Sequence, residues 1–244
     1  MDREKAAQQI SNALATTVFK GTSAVPFVKP DVDDVMDRIN RLTGGRLNLQ
    51  DPAELFRPQV PMSALDRAAK DYTRRAQLFV TSSGVATGAT GLPGVLPNAG
   101  ILVSATVGLV RRHALAYGFT DIEDDPEDRL PLLVGFAAAV GAQSAIGQAS
   151  SIAGQVAARV VIDAASRQAA QMVLAQQISY QMAVQMVRQT ALKAVPVVSS
   201  VTSGTLNYAF LREAGRRSSA YWRERHLIVR QTGPTTQPYP DRED

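Results

Sequence analysis

The sequence predicts an all-α protein, built as a single compact multi-helix bundle around a central glycine-rich apolar helical hairpin. Three observations support this fold class. Apolar residues recur at helical spacing through most of the chain. The valine-containing segments 159–161 and 195–198 are short and lie within helical sequence, so no convincing β-strand pattern appears. Small residues are abundant and aromatic residues make up only 6% of the chain, which favours closely approaching helices over a core of large rings.

The first two helices are indicated by apolar faces and by the residues at their ends. Residues 2–19 carry apolar side chains at helical spacing and predict an amphipathic helix. Asp31 introduces a second helix, and Gly44 lies in the C-cap position that stops it. Segment 47–61 contains three prolines and therefore predicts a connector with one short turn.

The following helices are also delimited by end signals. Ser63 and Asp66 resemble a capping box that opens a helix before the hairpin, and Gly118 is placed to end the helix after it. The acidic run that follows lacks the central glycine and terminal glutamate of an EF-hand loop. We therefore interpret Asp125 as an N-cap, with Pro126 at the first helical position of the next helix.

The second half of the chain is predicted to be helical with one break. Residues 130–158 are uncharged and contain glutamines and serines, which are costly in hydrocarbon and favour burial against protein. Residues 163–193 continue as a long helix with a glutamine stripe. A break is expected at Pro196 and a loosening at Gly204, before a basic final helix.

Three regions follow from this pattern. Residues 1–61 are N-terminal helices and a proline-rich connector that pack on the core, residues 62–230 form the main helical domain, and residues 231–244 are a polar, proline-containing tail expected to be disordered.

Composition limits the chemistry available to the chain. There is no cysteine, which removes disulfides, thiolate catalysis and cysteine-bound metals. The only histidines, His113 and His226, lie far apart in sequence, and no nucleotide-binding or GxSxG motif occurs. We expect no metal, no cofactor and no catalytic residues, although an unrecognised enzyme acting on a lipid-like substrate stays open as a lesser alternative. The net charge of the chain is only +4, and acidic residues are interspersed among its arginines. We therefore expect no nucleic acid partner.

The hairpin is the feature that points to a function. Residues 76–110 contain no charged side chain, and Pro93, Gly94, Pro97 and Asn98 interrupt the middle. Each apolar limb is roughly 14 residues, or about 21 Å as an α-helix, against a hydrocarbon core of about 30 Å. Neither limb comfortably crosses a bilayer alone, so the hairpin is either buried in the protein, inserted into one leaflet, or able to do both.

Arginines bracket this segment and can reach phosphate headgroups while the apolar middle lies deeper. The candidate contacts to a membrane or lipid are Val85, Leu92, Val95, Leu96, Ile101, Val103, Arg111 and Arg112.

Three elements in order resemble the EcsC protein family, bacterial proteins named for a component of an ABC-transporter operon. The apolar hairpin leads into an AxxYG element before an acidic turn, a K-a-x-P element is followed by an asparagine, and the final helix carries an aromatic and arginine pattern. The positions that carry the resemblance are His113, Tyr117, Gly118, Lys193, Pro196, Asn207, Tyr221 and Arg225. They span roughly residues 62–226, and the first 60 residues show no comparable signature.

The resemblance implies a helical, membrane-associated or transporter-linked protein and brings no established reaction. Together with the hairpin, it favours a non-enzymatic, cytoplasmic protein that binds an anionic membrane surface or lipid at the inner face of the membrane. The alternative is an adaptor that packs against a membrane-protein partner such as a transporter. Small-residue faces can pair helices within one chain or between two, so the oligomeric state stays open.

Overall fold

A computed structural model describes residues 30–87, 95–120, 130–142, 176, 178–180 and 199–232. Within these residues the chain is helical and contains no β-strand. The main elements are helix α1 (Val32–Leu42), a 3-10 helix (Pro52–Phe56), and helices α2 (Met62–Thr87), α3 (Val95–Ala116), α4 (Leu130–Val140) and α5 (Ser199–Thr232). The all-α fold predicted from the sequence is confirmed.

Helix α1 has the bounds that its end residues predict. The Asp31 side chain accepts a hydrogen bond from the backbone N–H of Asp33 at 3.0 Å and caps the first turn. At the other end, Gly44 and Gly45 both have φ of +70°, a conformation that L-residues with side chains adopt rarely. The buried face of α1, which includes Met36 and Ile39, packs against the main helices.

The connector after α1 is held by side-chain hydrogen bonds to the backbone. The Asn40 amide bonds both the carbonyl and the N–H of Leu49, at 2.7 and 2.8 Å. Asp51 and Glu54 then form a reciprocal capping box at the 3-10 helix. The short turn predicted in this connector is therefore confirmed.

Helices α2, α3 and α5 pack together as the centre of the bundle. On α2, Asp66 meets Arg223 of α5, whereas Gln77, further along, donates to the carbonyl of Tyr208, so α2 and α5 are antiparallel. Helix α3 is also antiparallel to α2, because Tyr117 near its end contacts Asp66 near the start of α2. The end of α2 and the starts of α3 and α5 consequently lie at one end of the bundle.

Helix α4 closes the core by close approach to its neighbours. A Cβ atom added to Gly135 would lie 2.7 Å from Cζ2 of Trp222 and 3.0 Å from Cγ1 of Val110. Glycine at position 135 therefore lets α4 approach both α3 and α5. The centre of the core contains Leu65, Leu109, Phe136 and Trp222, each less than 2% exposed.

Several local predictions differ from the structure. Helix α2 begins at Met62, so Ser63 lies inside its first turn and is no N-cap; the Asp66 carboxylate instead faces Tyr117 and Arg223. The predicted capping box is therefore wrong. Gly204 does not interrupt α5, which runs continuously from Ser199 to Thr232. A glycine in a helix costs only about 1 kcal/mol, which tertiary packing offsets.

The hairpin helices are longer than the predicted limbs of roughly 14 residues. Helix α3 already includes Pro97 and Asn98 in its first turn, where the missing N–H of a proline breaks no helical hydrogen bond. Helix α5 includes Gln231 and Thr232, the first two residues of the predicted tail. The predicted helix at 2–19, the Asp125 cap, and most of the segments 143–193 and 233–244 lie outside the described residues.

Candidate functional site

His113 is completely buried where α3 faces α2. Its Nε2 lies 2.9 Å from the carbonyl oxygen of Ala69 and 3.1 Å from Oγ1 of Thr73. Burial lowers the pKa of His113 to about 4, and the hydrogen bond to Ala69 opposes that shift. The ring is therefore neutral at pH 7, with Nε2–H donating to the Ala69 carbonyl, and no described residue bonds Nδ1.

Tyr117, the first residue after α3, connects the three central helices. Its hydroxyl donates to Oδ1 of Asp66 on α2 at 2.9 Å and lies 2.9 Å from Oγ of Ser219 on α5. Asp66 also pairs with Arg223 of α5 at 3.3 Å. Burial raises the pKa of Tyr117, so its hydroxyl stays protonated and available as a donor.

Gly118 ends α3 in a turn that needs glycine. Its φ is +91°, and an added Cβ would lie 2.9 Å from Cε2 of Phe56 and 3.1 Å from the carbonyl of Pro52. The turn is further held by His226 of α5, whose Nδ1–H donates to the Tyr117 carbonyl at 2.8 Å. The His226 ring stacks on Phe56 with 4.8 Å between centroids.

An aromatic cluster on α5 completes this end of the bundle. Trp222 is 1% exposed and packs against Phe119 and Tyr221, with ring centroids 5.2 and 5.0 Å apart. The guanidinium of Arg225 lies 5.8 Å from the ring centroids of both Phe119 and Tyr221 and donates to the Tyr221 hydroxyl at 3.2 Å. These contacts tie the chain after α3 to α5.

The contacts of this region are those of a packed, hydrogen-bonded helix interface. Both histidines bond a backbone carbonyl, and the Tyr117 hydroxyl bonds two side chains. Among the described residues, no three His, Cys, Asp or Glu side chains lie close enough together to hold a metal ion. We call this region, which contains Asp66, Tyr117, Arg223 and Arg225, the charged end of the bundle. Its contacts stabilise the packing of the helices.

The opposite end of the bundle carries no charge on any of the three central helices. Uncharged sequence occupies residues 76–87 at the end of α2, 95–110 at the start of α3 and 199–211 at the start of α5. These runs correspond to about 18, 24 and 20 Å of α-helix. Because the helix directions bring all three runs to the same end, we call this region the charge-free end.

Five arginines lie where the charge-free runs of the three central helices meet the charged part of the bundle. They come from all three helices, and the antiparallel contacts of α2 with α3 and α5 place them at one height of the bundle. Some arginines in this region form ion pairs: Asp34 pairs with Arg75, and Glu213 pairs with Arg216 and Arg217. We call the following five residues the arginine belt: Arg74, Arg75, Arg111, Arg112 and Arg212.

Large apolar side chains are exposed next to this belt. Leu78 on α2 is 60% exposed and lies one turn beyond Arg74, whereas Tyr208 on α5 is 43% exposed and lies one turn before Arg212. Gln77 donates to the backbone carbonyl of Tyr208 at 3.4 Å, so the two exposed side chains are at similar heights. An apolar surface thus begins where the arginine belt ends.

The predicted membrane contacts divide into buried and partly buried residues. Val103 is fully buried in the core, Ile101 is partly buried against it, and Arg111 and Arg112 are half-buried. Val85, Val95 and Leu96 lie in α2 and α3, but their side chains are outside the described part of the chain, as is Leu92 altogether. None of the described helices is both long enough and apolar enough to cross a membrane.

The positions that carry the family resemblance gather mainly at the charged end. His113 on α3, with Tyr117 and Gly118 in the turn that follows it, contacts α2 and the 3-10 helix, and Tyr221 and Arg225 belong to the aromatic cluster of α5. Asn207 is 6% exposed and lies on α5 within the charge-free end. Lys193 and Pro196 are outside the described residues.

A family model described as the EcsC protein family matches residues 3–227. The chain belongs to the EcsC protein family. The match extends into the first 60 residues, which carry none of the elements that resemble the family. No curated protein and no solved structure matches the chain.

The exposed apolar residues of this EcsC protein are not among the contacts that its sequence predicts. The predicted contacts include neither Leu78 nor Tyr208, although both lie in charge-free sequence near an arginine. Helical spacing carries a usable signal here, because Leu78 follows Arg74 by four residues and Tyr208 precedes Arg212 by four. An apolar side chain four residues from an exposed arginine lies on the same face of the helix, so it is expected to be exposed as well.

Proposed function

We propose that this protein binds the surface of anionic membranes through its charge-free end, with the arginine belt at the depth of the lipid phosphates. It acts as a peripheral, non-enzymatic protein at the cytoplasmic face of the membrane. The observation that carries the proposal is the convergence of three charge-free helix segments at one end of the bundle, bordered by arginines from the same three helices.

The distribution of charge suits a membrane interface. A surface that enters the headgroup and acyl boundary must leave its apolar groups without neighbouring charges, while cations a turn away stay among phosphates. Leu78 supplies an exposed apolar side chain, and Tyr208 supplies a ring with a polar hydroxyl of the kind enriched at membrane interfaces. Arg74 and Arg212 stand one helical turn behind them.

The dimensions favour shallow binding. The charge-free runs are about 18 to 24 Å long, which is less than the hydrocarbon thickness of about 30 Å. Much of the run in α3 is buried by the neighbouring helices, since residues 102–110 are all buried. The proposal therefore places the tip and the exposed side of this end in one leaflet and keeps the bundle folded.

Electrostatic attraction and apolar burial make separate contributions that salt distinguishes. Each Lys or Arg near an anionic surface contributes about 1 kcal/mol, and salt screens this attraction. Burying a leucine side chain contributes about 1.5–3 kcal/mol and is insensitive to moderate salt. We expect binding that requires anionic lipid and is weakened, but not abolished, by high salt.

The experiment is sedimentation of the purified protein with vesicles of phosphatidylcholine alone or mixed with phosphatidylserine, at low and high salt. Leu78→Asp is expected to weaken binding to the anionic vesicles about tenfold or more, because it removes apolar burial and adds a repelled charge. The matched control is Ile228→Asp on α5, since Ile228 is 52% exposed but lies at the charged end. This control should bind within about twofold of the wild type.

Equal loss in the two variants would show that any added negative charge weakens binding, and would overturn the assignment to the charge-free end. Absence of wild-type binding to every vesicle would overturn the membrane proposal itself. In that case the adaptor function would be supported if a membrane-protein partner co-purified with the wild type and was lost with Leu78→Asp.

A further inference from the structure

Cationic side chains line the exposed sides of α2 and α5. On each helix they recur at intervals of about one or two turns, so they form a row along one face of that helix. The row on α2 continues into the exposed Leu78 and the row on α5 into the exposed Tyr208, so both rows reach the charge-free end. We call the surface that the two rows form the basic face, and its exposed cations are Arg67, Lys70, Arg74, Arg212, Arg216 and Arg223.

The two rows lie on the same side of the helix pair. Helices α2 and α5 are in contact at Thr73 and Gly215, where an added Cβ atom on the glycine would lie 2.4 Å from Cγ2 of Thr73. On each helix a cation follows the contact residue by one position, Arg74 on α2 and Arg216 on α5. One residue is a rotation of about 100° around the helix axis. Because the helices are antiparallel, a rotation of the same sense along each chain turns both rows to the same side.

Most cations of the basic face have no acidic partner. Asp66 pairs with Arg223, and Glu213 pairs with Arg216. Among the side chains that the structure describes, no acid pairs with the other four cations, which are Arg67, Lys70, Arg74 and Arg212. The charge of these four side chains is therefore directed to solvent, where a surface rich in phosphate groups can neutralise it.

Helix α1 gives the other side of α2 a different charge. It packs there through ion pairs of Arg38 with Asp71 and of Asp34 with Arg75. Residues 31–42, which form α1 and its N-cap, contain four aspartates and two arginines. The bundle thus has a basic side at α2 and α5 and an acidic edge at α1. An anionic surface attracts the first and repels the second.

The exposed apolar residues favour lipid over an acidic protein segment as the partner of the basic face. Leu78 is 60% exposed and Tyr208 is 43% exposed, and each lies at the end of a row of cations. A membrane interface offers phosphates to the cations and acyl chains to the apolar side chains. An acidic protein segment would neutralise the cations and leave Leu78 in water.

We propose that the basic face lies against the anionic membrane, so that the bundle leans onto α2 and α5 and α1 is turned away from the lipid. This orientation rests on the proposed function and specifies which side of the protein the membrane contacts. Leu78 and Tyr208 enter the boundary between headgroups and acyl chains, and the cations of the basic face lie among the headgroups. The row on α2 from Arg67 to Leu78 covers about 16 Å of membrane surface.

A leaning bundle differs from an upright one in the position of Arg67. Arg67 precedes Arg74 by seven residues, or about 10 Å along α2. An upright bundle with Arg74 at the phosphates would hold Arg67 about one Debye length from them at about 0.1 M salt, whereas a leaning bundle brings Arg67 and Lys70 to the headgroups. Ile228 lies about 140° around α5 from Arg223, so it faces away from the lipid in either orientation.

The test compares matched arginine substitutions by vesicle sedimentation. Arg67→Gln is expected to weaken binding to vesicles of phosphatidylcholine and phosphatidylserine about fivefold, the contribution of one cation at an anionic surface. Arg41→Gln is the control, because Arg41 is an exposed arginine in the last turn of α1 and its loss changes the net charge equally. This control should bind within about 1.5-fold of the wild type.

A second measurement reports the orientation directly. A fluorophore attached to Lys70→Cys should become shielded from a water-soluble quencher when anionic vesicles are added, because position 70 lies on the basic face. A fluorophore attached to Arg41→Cys should stay accessible to the quencher. Equal shielding at the two positions would overturn the leaning orientation.

The outcomes separate this orientation from the proposed function. Equal binding by Arg67→Gln and Arg41→Gln, with weakened binding by Leu78→Asp, overturns the orientation and leaves the proposed function standing. Weakened binding by Arg67→Gln with none by Leu78→Asp keeps the basic face and overturns insertion of the charge-free end. If the wild type binds no vesicle but binds immobilised polyglutamate, and Arg67→Gln weakens that binding, the partner is an acidic protein and both membrane proposals are overturned.

Discussion

The two ends of helices α2, α3 and α5 are built from the same helices but by different interactions. At the charged end, Asp66, Tyr117 and Arg223 join the three helices through hydrogen bonds and an ion pair, and Arg230 donates to backbone carbonyls of Pro58 and Val60. At the other end, no charged residue lies in residues 76–87, 95–110 or 199–211. The interactions at the charged end hold the helices in register. The charge-free end therefore needs no charged residues for this purpose and is suited to binding an apolar surface.

The largest contrast is expected between two substitutions within the charge-free end. Val103 is completely buried, so Val103→Asp would place an unpaired carboxylate in the core and should lower the free energy of unfolding by about 3–5 kcal/mol. Leu78→Asp changes an exposed position and should shift it by no more than about 0.5 kcal/mol. Urea unfolding of both variants measures the difference, and similar losses would contradict the separation of a buried side from an exposed side.

Acid should act through the buried histidine at the charged end. The folded pKa of His113 is about 4, below its ordinary value of 6.5, so the unfolded chain binds the proton more tightly. The stabilisation from neutral His113 is complete above pH 6.5 and is lost as pH falls toward 4, to a total of about 3 kcal/mol. Burial also lowers the pKa of His226, which adds a loss of the same sign.

Unfolding free energies measured from pH 7 to 5 in the wild type and in His113→Gln check this prediction. Glutamine retains a donor for the Ala69 carbonyl but does not titrate, so its profile should be flatter. Parallel profiles would show that His113 is not the group responsible.

The contact between α2 and α5 near the arginine belt should be sensitive to one methyl group. A Cβ atom at position 215 would lie 2.4 Å from Cγ2 and 2.6 Å from Oγ1 of Thr73, a short and branched side chain with little room to move. Gly215→Ala is therefore expected to lower the free energy of unfolding by about 1–3 kcal/mol, measured in urea. A neutral result would mean that the two helices are not in this close contact.

The smallest effect is expected for the same substitution at the charge-free end. Gly100 lies in α3, and a Cβ atom there would meet nothing within 4 Å. Gly100→Ala should raise the free energy of unfolding by about 0.5–1 kcal/mol, because alanine loses less backbone entropy in a helix. A loss of stability would indicate that α3 is tightly packed around position 100, and would contradict the expected difference between Gly100 and Gly215.

Local signals in the sequence were sufficient for elements that are fixed by their own residues. The ends of α1 follow from Asp31 and Gly44, and Gly118 predicts the turn after α3. The loosening predicted at Gly204 is wrong, because packing along a long helix outweighs the propensity of one residue. The capping box failed because the partners of Asp66 are distant in sequence, at Tyr117 and Arg223.

The sequence predicts only part of the charge-free end. The uncharged run 76–110 indicated the hairpin, but its alignment with residues 199–211 depends on helix directions that only long-range contacts fix. A helix without charges also has no polar face to mark its exposed side. For that reason the sequence predicts a membrane contact at Val103, which is buried, and none at Leu78, which is exposed.

The most direct measurement of the central claim is the depth of single positions in a bound membrane. The chain has no cysteine, so Leu78→Cys and Ile228→Cys each create a unique site for an environment-sensitive fluorophore. On anionic vesicles, the probe at position 78 should shift to shorter wavelength and be quenched by a lipid-borne quencher, whereas the probe at position 228 should not respond. Equal responses at both positions, or a response at position 228 alone, would contradict binding through the charge-free end.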